Sequence, residues 1–275
     1  MNLSIAIPNS SLLDESTVLH KTKKISIIAR ACAIFGINQI LIYQDEKENK
    51  NDTMLLSTLL KYLETPQYFR KQLYTKTNLL KYAGVLQPLN ISNHLAVSDP
   101  KRIKIGDIRD ALIINHKKEK FVDIGINKLI PYFGKTKSGT RIAVQIKSTQ
   151  PKFIIKEIPR EDVNDYWGYK VKERSNLFSI LSTWEGKIIL TSKKGKIFTI
   201  PDAEKIAKSK EPILIVFGTT KKGIHEILGA DIKKIQNTKI FNFFPNQATQ
   251  TIRLEEAILG TLSIINIINY NYIKY

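Results

Sequence analysis

The first third of the chain alternates short apolar runs with longer amphipathic patterns. Leu3–Ile7 and Gln39–Tyr43 are apolar runs of strand length, which are typical of buried strands. Between them, apolar residues recur at three- and four-residue spacing, and Gly36 follows the last of them. This pattern predicts a helix that ends at a glycine. Two further helices are predicted over residues 52–63 and 66–74, so this part of the chain is predicted to be α/β.

The pattern changes between about residues 99 and 158. Several short runs with alternating polar and apolar residues follow one another here, separated by turns rich in Gly, Pro and Lys. Such spacing favours a small antiparallel β-barrel of OB-like form. Because α/β patterning resumes afterwards, we predict that residues 99–158 are an insertion and that residues 1–98 and 159–275 form one sheet domain.

The last third returns to strands and helices in alternation. Apolar runs at Lys187–Ser192, Ile213–Phe217 and Lys239–Phe244 predict strands. Helices are expected near residues 202–208, at 223–228 and from about residue 253 onward. The final helix carries an apolar stripe at helical spacing, made of Leu254, Ala257, Ile258, Thr261, Leu262, Ile265 and Ile268.

Charge adds the first indication of a partner. The 275 residues include 43 Lys and Arg against 25 Asp and Glu, a formal net charge of +18. This excess favours a polyanionic partner, nucleic acid before a membrane surface. A Lys- and Ile-rich genome, such as that of a heat-adapted organism, is the alternative explanation. No apolar run is long enough for a membrane span, and a single cysteine, Cys32, excludes an internal disulfide and suits a reducing cytoplasm.

Several common enzyme signatures are absent from the sequence. Gly218–Gly223 has the glycine spacing of a phosphate loop but lacks the Lys-Ser/Thr that should follow. No G-x-G-x-x-G follows a strand, and no G-x-S-x-G is present. One Cys and four scattered His do not give a zinc site of ordinary spacing, so we predict no metal.

Three strand-to-loop junctions remain as candidate chemistry. They lie at Ile189–Lys196, at Gly218 and at Asn242–Asn246. Ligands of open α/β sheets lie beyond the carboxyl ends of the strands. Backbone groups of such loops can hydrogen-bond an adenine while apolar side chains enclose its ring, and Thr251 can cap the last helix. Any one of the three could be an ordinary β–α turn, but three in one sheet favour a ligand site.

At these junctions the sequence resembles the SPOUT superfamily of RNA methyltransferases, in the archaeal and eukaryotic branch with an inserted barrel. The resemblance follows the chain in order over nearly its whole length. The stretches that carry it are "IARACAIFGINQILIY", "TPQYFRKQLY", "LLKYAGVLQPL", "DYWGYKV", "LTSKKGK", "LIVFGTTKKGIHEIL" and "FPNQATQTIRLEEAIL".

The resemblance implies a parallel sheet with helices on both faces and a deep trefoil knot near the C-terminus. S-adenosylmethionine would lie bent in the knot, and the protein would be a homodimer whose RNA site is shared between subunits. The three loops expected to hold the cofactor are Thr191–Gly195, Phe217–Gly218 and Phe241–Thr251. The expected cofactor-binding residues are Thr191, Ser192, Gly195, Phe217, Gly218, Phe241, Asn242, Phe243, Pro245, Asn246, Thr251 and Ile252.

Candidate substrate residues are basic. Arg30 matches a position where related enzymes hold RNA, with an ordinary salt bridge as the alternative. Arg253, beside Glu255, is a second candidate for catalysis, although pairing within the chain or across a dimer would suit it equally. The lysines of the predicted barrel suit RNA phosphates, or else form a solvated basic face; they are Lys117, Lys118, Lys120, Lys135 and Lys137.

Charge, the three loops and the ordered resemblance together predict a cytoplasmic, S-adenosylmethionine-dependent methyltransferase. Its substrate would be structured RNA, either ribosomal or transfer RNA. A non-catalytic RNA-binding or assembly factor on a degenerate fold of the same kind is the alternative. Protein methylation is a weaker third hypothesis, because the strongly basic charge favours RNA.

Overall fold

In the computed structural model the chain folds into two compact units. The first unit comprises Met1–Leu63, Asn78–Pro88 and Tyr169–Tyr275, and the second Glu64–Thr77 and Leu89–Gly168. The structure describes residues 2–46, 49–94, 98–117, 119–126, 128–219 and 221–273, with side chains as far as residue 267.

Strands and helices follow one another along the described chain with short 3₁₀ turns between some of them. The strands are β1 (Leu3–Pro8), β2 (Gln39–Tyr43), β3 (Ile108–His116), β4 (Glu119–Asp123), β5 (Leu129–Pro131), β6 (Arg141–Ser148), β7 (Ile154–Ile158), β8 (Lys170–Glu173), β9 (Lys187–Ile197), β10 (Ile213–Val216) and β11 (Thr238–Asn242). The helices are α1 (Val18–Ile34), α2 (Lys50–Glu64), α3 (Gln67–Leu73), α4 (Leu177–Ser182), α5 (Ile200–Ala207), α6 (Ile224–Leu228) and α7 (Leu254–Ile273).

The first unit is built on a parallel sheet. Within the described residues its strand order is β11-β9-β10-β1-β2-β8, and every neighbouring pair is parallel. Ile5 in the middle of β1 lies opposite Ile40 on one side and Ile215 on the other. Since parallel strands joined by helices have both faces covered, these central strands read as nearly continuous apolar runs, and β10 is buried throughout.

Helices cover this sheet. On one face, α4 and α6 pack against alternate residues of the central strands, among them Tyr43, Leu190 and Val216. The intervening strand residues, such as Ile5 and Ile215, are also buried, as expected when both faces are covered. Helix α7 packs against α1 and α5. The apolar stripe predicted on α7 is buried at Leu254, Ile258, Thr261, Leu262 and Ile265, whereas the side chain of Ile268 lies outside the described part.

Local signals set the ends of α1. The hydroxyl oxygen of Thr17 accepts a hydrogen bond from the backbone N–H of His20 at 3.2 Å, as an N-cap should. At the other end Gly36 has φ +64, a conformation that glycine adopts without strain. The helix therefore begins and ends where short polar and glycine residues satisfy its free backbone groups.

The second unit carries an antiparallel sheet in the order β5-β4-β3-β6-β7. Its core is a cluster of mainly aliphatic residues around Ala111, Ile113, Val122 and Val144. The hydroxyl of Tyr132, just after β5, donates to Glu157 of β7 at 2.6 Å, so the sheet curls until its two edge strands are linked by side chains.

A buried ion cluster also holds the second unit together. Arg141 of β6 contacts Glu64 at 2.7 Å and also contacts Asp110. Arg160 contacts Glu64 at 2.6 Å. Burial raises the pKa of the Asp110 carboxyl, and the charge of Arg141 opposes that rise. Since removing one partner of such a cluster leaves a buried charge uncompensated, these four groups depend on one another.

The predicted α/β class, with a parallel sheet and a separate curled antiparallel sheet, is confirmed. Two local predictions need correction. The strand predicted at Lys187–Ser192 does not stop at Ser192, because β9 continues to Ile197. The cap predicted at Thr251 is also wrong: α7 begins at Leu254, and Glu256 accepts a hydrogen bond from the backbone N–H of Arg253 at 2.9 Å.

Candidate functional site

A cavity of about 300 Å³ lies in the first unit at the carboxyl ends of β9, β10 and β11. Ligands of parallel sheets bind at this edge, and small-molecule pockets begin at about this size. The lining residues come from the three loops that follow these strands and from the start of α7. They are Thr191, Ser192, Lys193, Lys194, Phe217, Gly218, Thr219, Lys221, Gly223, His225, Glu226, Phe241, Asn242, Phe243, Phe244, Gln247, Gln250, Thr251, Ile252, Leu254 and Ala257.

The first wall is a five-residue bulge inside β9. Leu190 pairs with Ile240 of β11, and the next pair joins Lys196 to Phe241. Residues 191–195 therefore leave the ladder between two consecutive pairs. An ordinary β-bulge inserts one extra residue in this way, whereas this bulge inserts five. A Cβ at Gly195 would lie 2.8 Å from the carbonyl carbon of Phe241, so only glycine lets the bulge close this tightly on β11.

Side chains fix both ends of the bulge. The hydroxyl of Thr191 donates to the carbonyl of Val216 on β10 at 3.0 Å. At the other end, Lys196 contacts Asp202 of α5 at 3.2 Å, and the hydroxyl of Thr199 donates to the same carboxylate at 2.6 Å. The Thr199 hydroxyl, followed by the Lys196 ammonium, lowers the pKa of Asp202. The carboxylate therefore stays ionised as an anchor at neutral pH.

The second wall is the chain that follows β10. The buried hydroxyl of Tyr43 donates to the carbonyl of Phe217 at 2.7 Å. Burial raises the pKa of Tyr43 well above its ordinary value, so this hydroxyl keeps its proton. A Cβ at Gly218 would lie 3.0 Å from the carbonyl oxygen of Lys222. The turn beyond is held by Thr219, whose hydroxyl accepts from the Lys222 N–H at 2.7 Å.

The third wall is the chain between β11 and α7. Asn242 joins it to the bulge: its amide donates to the carbonyl of Lys193 at 3.1 Å, and its oxygen accepts from the Phe244 N–H at 2.9 Å. Asn246 adopts φ +61, a left-handed conformation that Asn tolerates better than most residues. A Cβ at Gly260 of α7 would lie 2.6 Å from the ring of Phe244, so this glycine lets the ring rest on the helix.

An aromatic cluster supports this third wall. The ring of Phe198 lies 5.1 Å from that of Phe241 and 4.4 Å from that of Phe243, measured between centroids. Phe241 and Phe243 also line the cavity. Together with Phe217 they make this part of the lining apolar, while the surrounding loops carry backbone donors and acceptors.

Nine of the twelve residues expected to bind a cofactor line this cavity. Gly195, Pro245 and Asn246 are not among the lining residues, and Gly195 and Asn246 shape the loops that carry the lining. The sequence prediction omitted several lining residues, notably His225, Glu226 and Phe244. His225 is the only histidine near the three loops in the sequence, but a solvated or capping role was expected for it because the resemblance assigns it none. For Phe244 a signal existed, since it lies within the expected third loop.

The two candidate catalytic arginines do not line the cavity. Arg30 donates to the carbonyl of Pro88 at 3.0 Å. Arg253 contacts Glu15 at 2.9 Å and lies 4.0 Å from Glu255. Arg253 is exposed, and its neighbours in the chain, Ile252 and Leu254, both line the cavity.

Glu255 belongs to an ion triad centred on the buried Lys24. Lys24 of α1, whose side chain is 2% exposed, contacts Asp14 at 2.6 Å and Glu255 at 3.1 Å. The triad connects the loop after β1, helix α1 and the first turn of α7. Because a buried charge needs a partner, Lys24 secures the start of the helix that closes the third wall.

The predicted RNA-binding lysines lie in loops and strands of the second unit. Lys117 occupies the turn between β3 and β4, and Lys135 and Lys137 are exposed between β5 and β6. Lys120 donates to the carbonyl of Thr136 at 3.0 Å. Lys118 lies outside the described residues. No group of three metal-ligating side chains was found in the described part of the chain, and no helix there is long and apolar enough to cross a membrane.

The geometry suits a nucleoside-like ligand. Phe217, Phe241 and Phe243 offer apolar rings, and Gly218 lets the backbone approach closely. Lys193, Lys194 and Lys221 give the lining more positive than negative charge, with Glu226 as an acidic exception. Such a cavity can hold a planar ring by its faces and a polar tail by its loops.

Known proteins place this geometry in a family. A family model described as "Putative RNA methyltransferase" matches residues 2–265. The human 28S rRNA (uridine-N3)-methyltransferase is 26% identical over 96% of this chain and 77% of its own length. The enzyme of the same name from Drosophila melanogaster is 26% identical over 96% of this chain and 61% of its length. An uncharacterised protein of Halobacterium salinarum is 25% identical over 97% of this chain and 99% of its own.

The matched residues include all three walls of the cavity, together with α1 and most of the described part of α7. Since the family model covers nearly the whole chain, the protein belongs to this family and is an RNA methyltransferase.

Proposed function

We propose that the protein transfers a methyl group from S-adenosylmethionine to a uridine of ribosomal RNA. The cavity between the three loops carries this proposal, because nine of its lining residues are those expected to hold the cofactor. The ribosomal substrate and the uridine follow the names of the human and fly relatives. The inserted barrel, residues 99–158, would capture the RNA through its lysines.

We further propose that the chain has the SPOUT fold with its trefoil knot. The strand order supports it, since β11 passes β10 and pairs with β9. The packing of α7 against both α1 and α5 is consistent with the same arrangement. A homodimer and a cytoplasmic location belong to the proposal as well. Exposed apolar residues on α5 and α7, such as Ile200 at 70% and Leu259 at 42%, suit a dimer face.

When bound, S-adenosylmethionine supplies a methyl group activated by its sulfonium. The work of this chain is positioning, for which up to about 7–11 kcal/mol of the barrier is available. Phe217, Phe241 and Phe243 would enclose the adenine ring, and the bulge at 191–195 would bind the remaining polar groups. Arg253, an exposed residue between Ile252 and Leu254 of the lining, would contact RNA.

A uridine ring nitrogen must also lose a proton during transfer. His225 and Glu226 are the titratable non-lysine groups of the cavity lining. Glu226 already accepts a hydrogen bond from the Gly223 N–H at 3.2 Å, which ties it to its own helix. His225, or water that it orients, is therefore the better candidate for the proton acceptor.

Methyl transfer to total RNA, followed by nucleoside mass spectrometry, tests this function. Labelled N3-methyluridine in ribosomal RNA is the expected product. Label in protein alone, with none in RNA, would contradict the proposal.

Calorimetry with S-adenosylhomocysteine tests the cofactor site directly. Gly218→Val should abolish binding. The valine side chain would collide with the backbone at Lys222, so the second wall of the cavity would have to move. Gly84→Ala is the matched control, since a Cβ there meets nothing within 4 Å. If wild type and Gly218→Val bind S-adenosylhomocysteine with equal affinity, the cofactor does not bind in this cavity.

A further inference from the structure

Phe133 is the most exposed large apolar side chain in the described part of the chain. It lies between β5 and β6 and is 95% exposed. Burial of a phenylalanine ring stabilises a fold, and this ring gives the fold none of that stabilisation. A single exposed apolar residue is common on protein surfaces, so the surroundings of the ring decide whether it has a role.

The loop that carries Phe133, residues 132–140, is anchored at several points. Glu157 accepts hydrogen bonds from the hydroxyls of Tyr132 at 2.6 Å and Thr136 at 3.3 Å. Lys120 donates to the Thr136 carbonyl at 3.0 Å, and the Gly139 N–H donates to the carbonyl of Ile113 at 2.7 Å. The ring is therefore presented from a fixed base, which lowers the ordering cost of any contact it makes.

The same loop is basic. Lys135 and Lys137 are exposed within it, and residues 132–140 contain no Asp or Glu. The nearby acid, Glu157, uses both carboxylate oxygens to hold loop hydroxyls. An exposed aromatic ring beside two unopposed ammonium groups matches the chemistry of single-stranded nucleic acid, which offers flat bases and phosphates together.

We propose that residues 132–140, named here the stacking loop, bind unpaired nucleotides of the RNA substrate. Phe133 stacks on a base, and Lys135 and Lys137 contact the flanking phosphates. The inference rests on the proposed function, and it deepens it by assigning the substrate an unpaired segment outside the methyl-transfer site. A base within a duplex is already stacked on its neighbours and does not present its face.

Substitutions of the exposed ring test the stacking. With a short single-stranded RNA oligonucleotide of mixed sequence as probe, Phe133→Ala in the full chain should weaken binding by about 5- to 150-fold. Phe133→Trp should keep the affinity, whereas Phe133→Leu should lose it, because leucine is apolar but not planar. Ile105→Ala removes another exposed apolar side chain of the same unit, 68% exposed, and should leave binding unchanged.

Salt dependence separates the ring from the lysines. The Lys135→Gln/Lys137→Gln double variant should reduce the slope of log affinity against log salt by about 0.7 per lost phosphate contact. Phe133→Ala should lower the affinity and keep the wild-type slope. A blunt RNA duplex should show the effect of the lysines but little effect of Phe133.

The outcomes distinguish this inference from the proposed function. Wild-type RNA binding and methyl transfer, with Phe133→Ala binding as tightly as wild type, would overturn the stacking loop and leave the function standing. Equal losses for duplex and single strand would also overturn it, since stacking on unpaired bases predicts a difference. Absence of both RNA binding and methyl transfer in the wild type would remove the two proposals together.

Discussion

At the scale of single residues, Gly195 shapes the cavity although it does not line it. The added Cβ of an alanine would lie within 2.8–2.9 Å of the backbone of Phe241. Backbone atoms cannot move aside as the end of a side chain can, so the bulge itself would have to shift. The residue therefore acts on the site through the position of residues 191–195.

Gly195→Ala is accordingly expected to destabilise the protein by about 1–3 kcal/mol, the usual cost of overpacking, and to weaken cofactor binding. Chemical denaturation and calorimetry measure the two effects, with Gly84→Ala as the control because its surroundings are open. Wild-type affinity in Gly195→Ala would mean that the bulge does not shape the cavity.

A half-buried histidine, His94, makes stability depend on pH. His94 contacts the backbone carbonyl of Glu64 through Nε2 at 2.8 Å. Burial lowers its pKa below the ordinary 6.5, and the hydrogen bond to Glu64 opposes this. The unfolded chain therefore binds the proton at a higher pH than the folded chain does.

The free energy of unfolding should accordingly fall as the pH drops below about 6.5 toward the lower pKa of the folded state. His94→Gln should reduce this slope in denaturation curves collected across the window. His20→Gln, a change at a histidine whose side chain is 54% exposed, should preserve it. An unaltered slope in His94→Gln would assign the pH dependence to other groups.

At the scale of elements, the strands could be predicted from the sequence better than the geometry between them. The apolar runs at β1, β2 and β10 predict their strands because burial on both faces leaves nearly continuous apolar residues. The register of β9 against β11 could not be predicted in this way, since it depends on pairing between segments that are distant along the chain. The polar residues 191–195 resemble an ordinary loop.

The ion contacts of Lys24 could not be predicted from the sequence either. The sequence places Lys24 in a helix rich in lysines, where a lysine is ordinarily solvated. Its burial follows from Asp14 and Glu255, which the fold brings together from opposite ends of the chain. Local patterns carry no information about such partners.

Lys24→Ala should destabilise the protein by about 3–5 kcal/mol, the usual cost of removing one partner from a buried ion group. The double variant Lys24→Met/Glu255→Leu should recover part of this loss, because it removes a charge together with its partner. Denaturation midpoints provide the measurement. If Lys24→Ala lowers the free energy of unfolding by less than about 1 kcal/mol, the ion contacts of Lys24 stabilise the protein no more than exposed salt bridges do.

Gly260 of helix α7 allows a test of whether the ring of Phe244 shapes the cavity. Alanine is about 1 kcal/mol more favourable than glycine inside a helix, so Gly260→Ala should favour α7 itself. The new Cβ would, however, displace the ring of Phe244 from its place beside the cavity. We expect little change in stability and a clear loss of cofactor affinity by calorimetry. The reverse pattern would show that the ring does not shape the site.

At the scale of the whole molecule, the charge of +18 should govern RNA association. Each phosphate contact made by a lysine or arginine makes the fall of log affinity with log salt steeper by about 0.7 for single strands and 0.9 for duplexes. Titrations of ribosomal RNA at several salt concentrations should therefore give a steep slope. If the affinity does not depend on salt, the charge does not serve RNA binding and instead reflects a Lys-rich genome.

The bulge in β9 also separates the scaffold of this enzyme from its chemistry. The ladder between β9 and β11 resumes at the very next pair after residues 191–195 leave it. The sheet consequently places few demands on the sequence of this segment between its two ends, where Thr191 is hydrogen-bonded to Val216 and Gly195 lies against Phe241. Lineages that share this scaffold can exchange that short segment and acquire new ligand preferences while the fold is inherited intact.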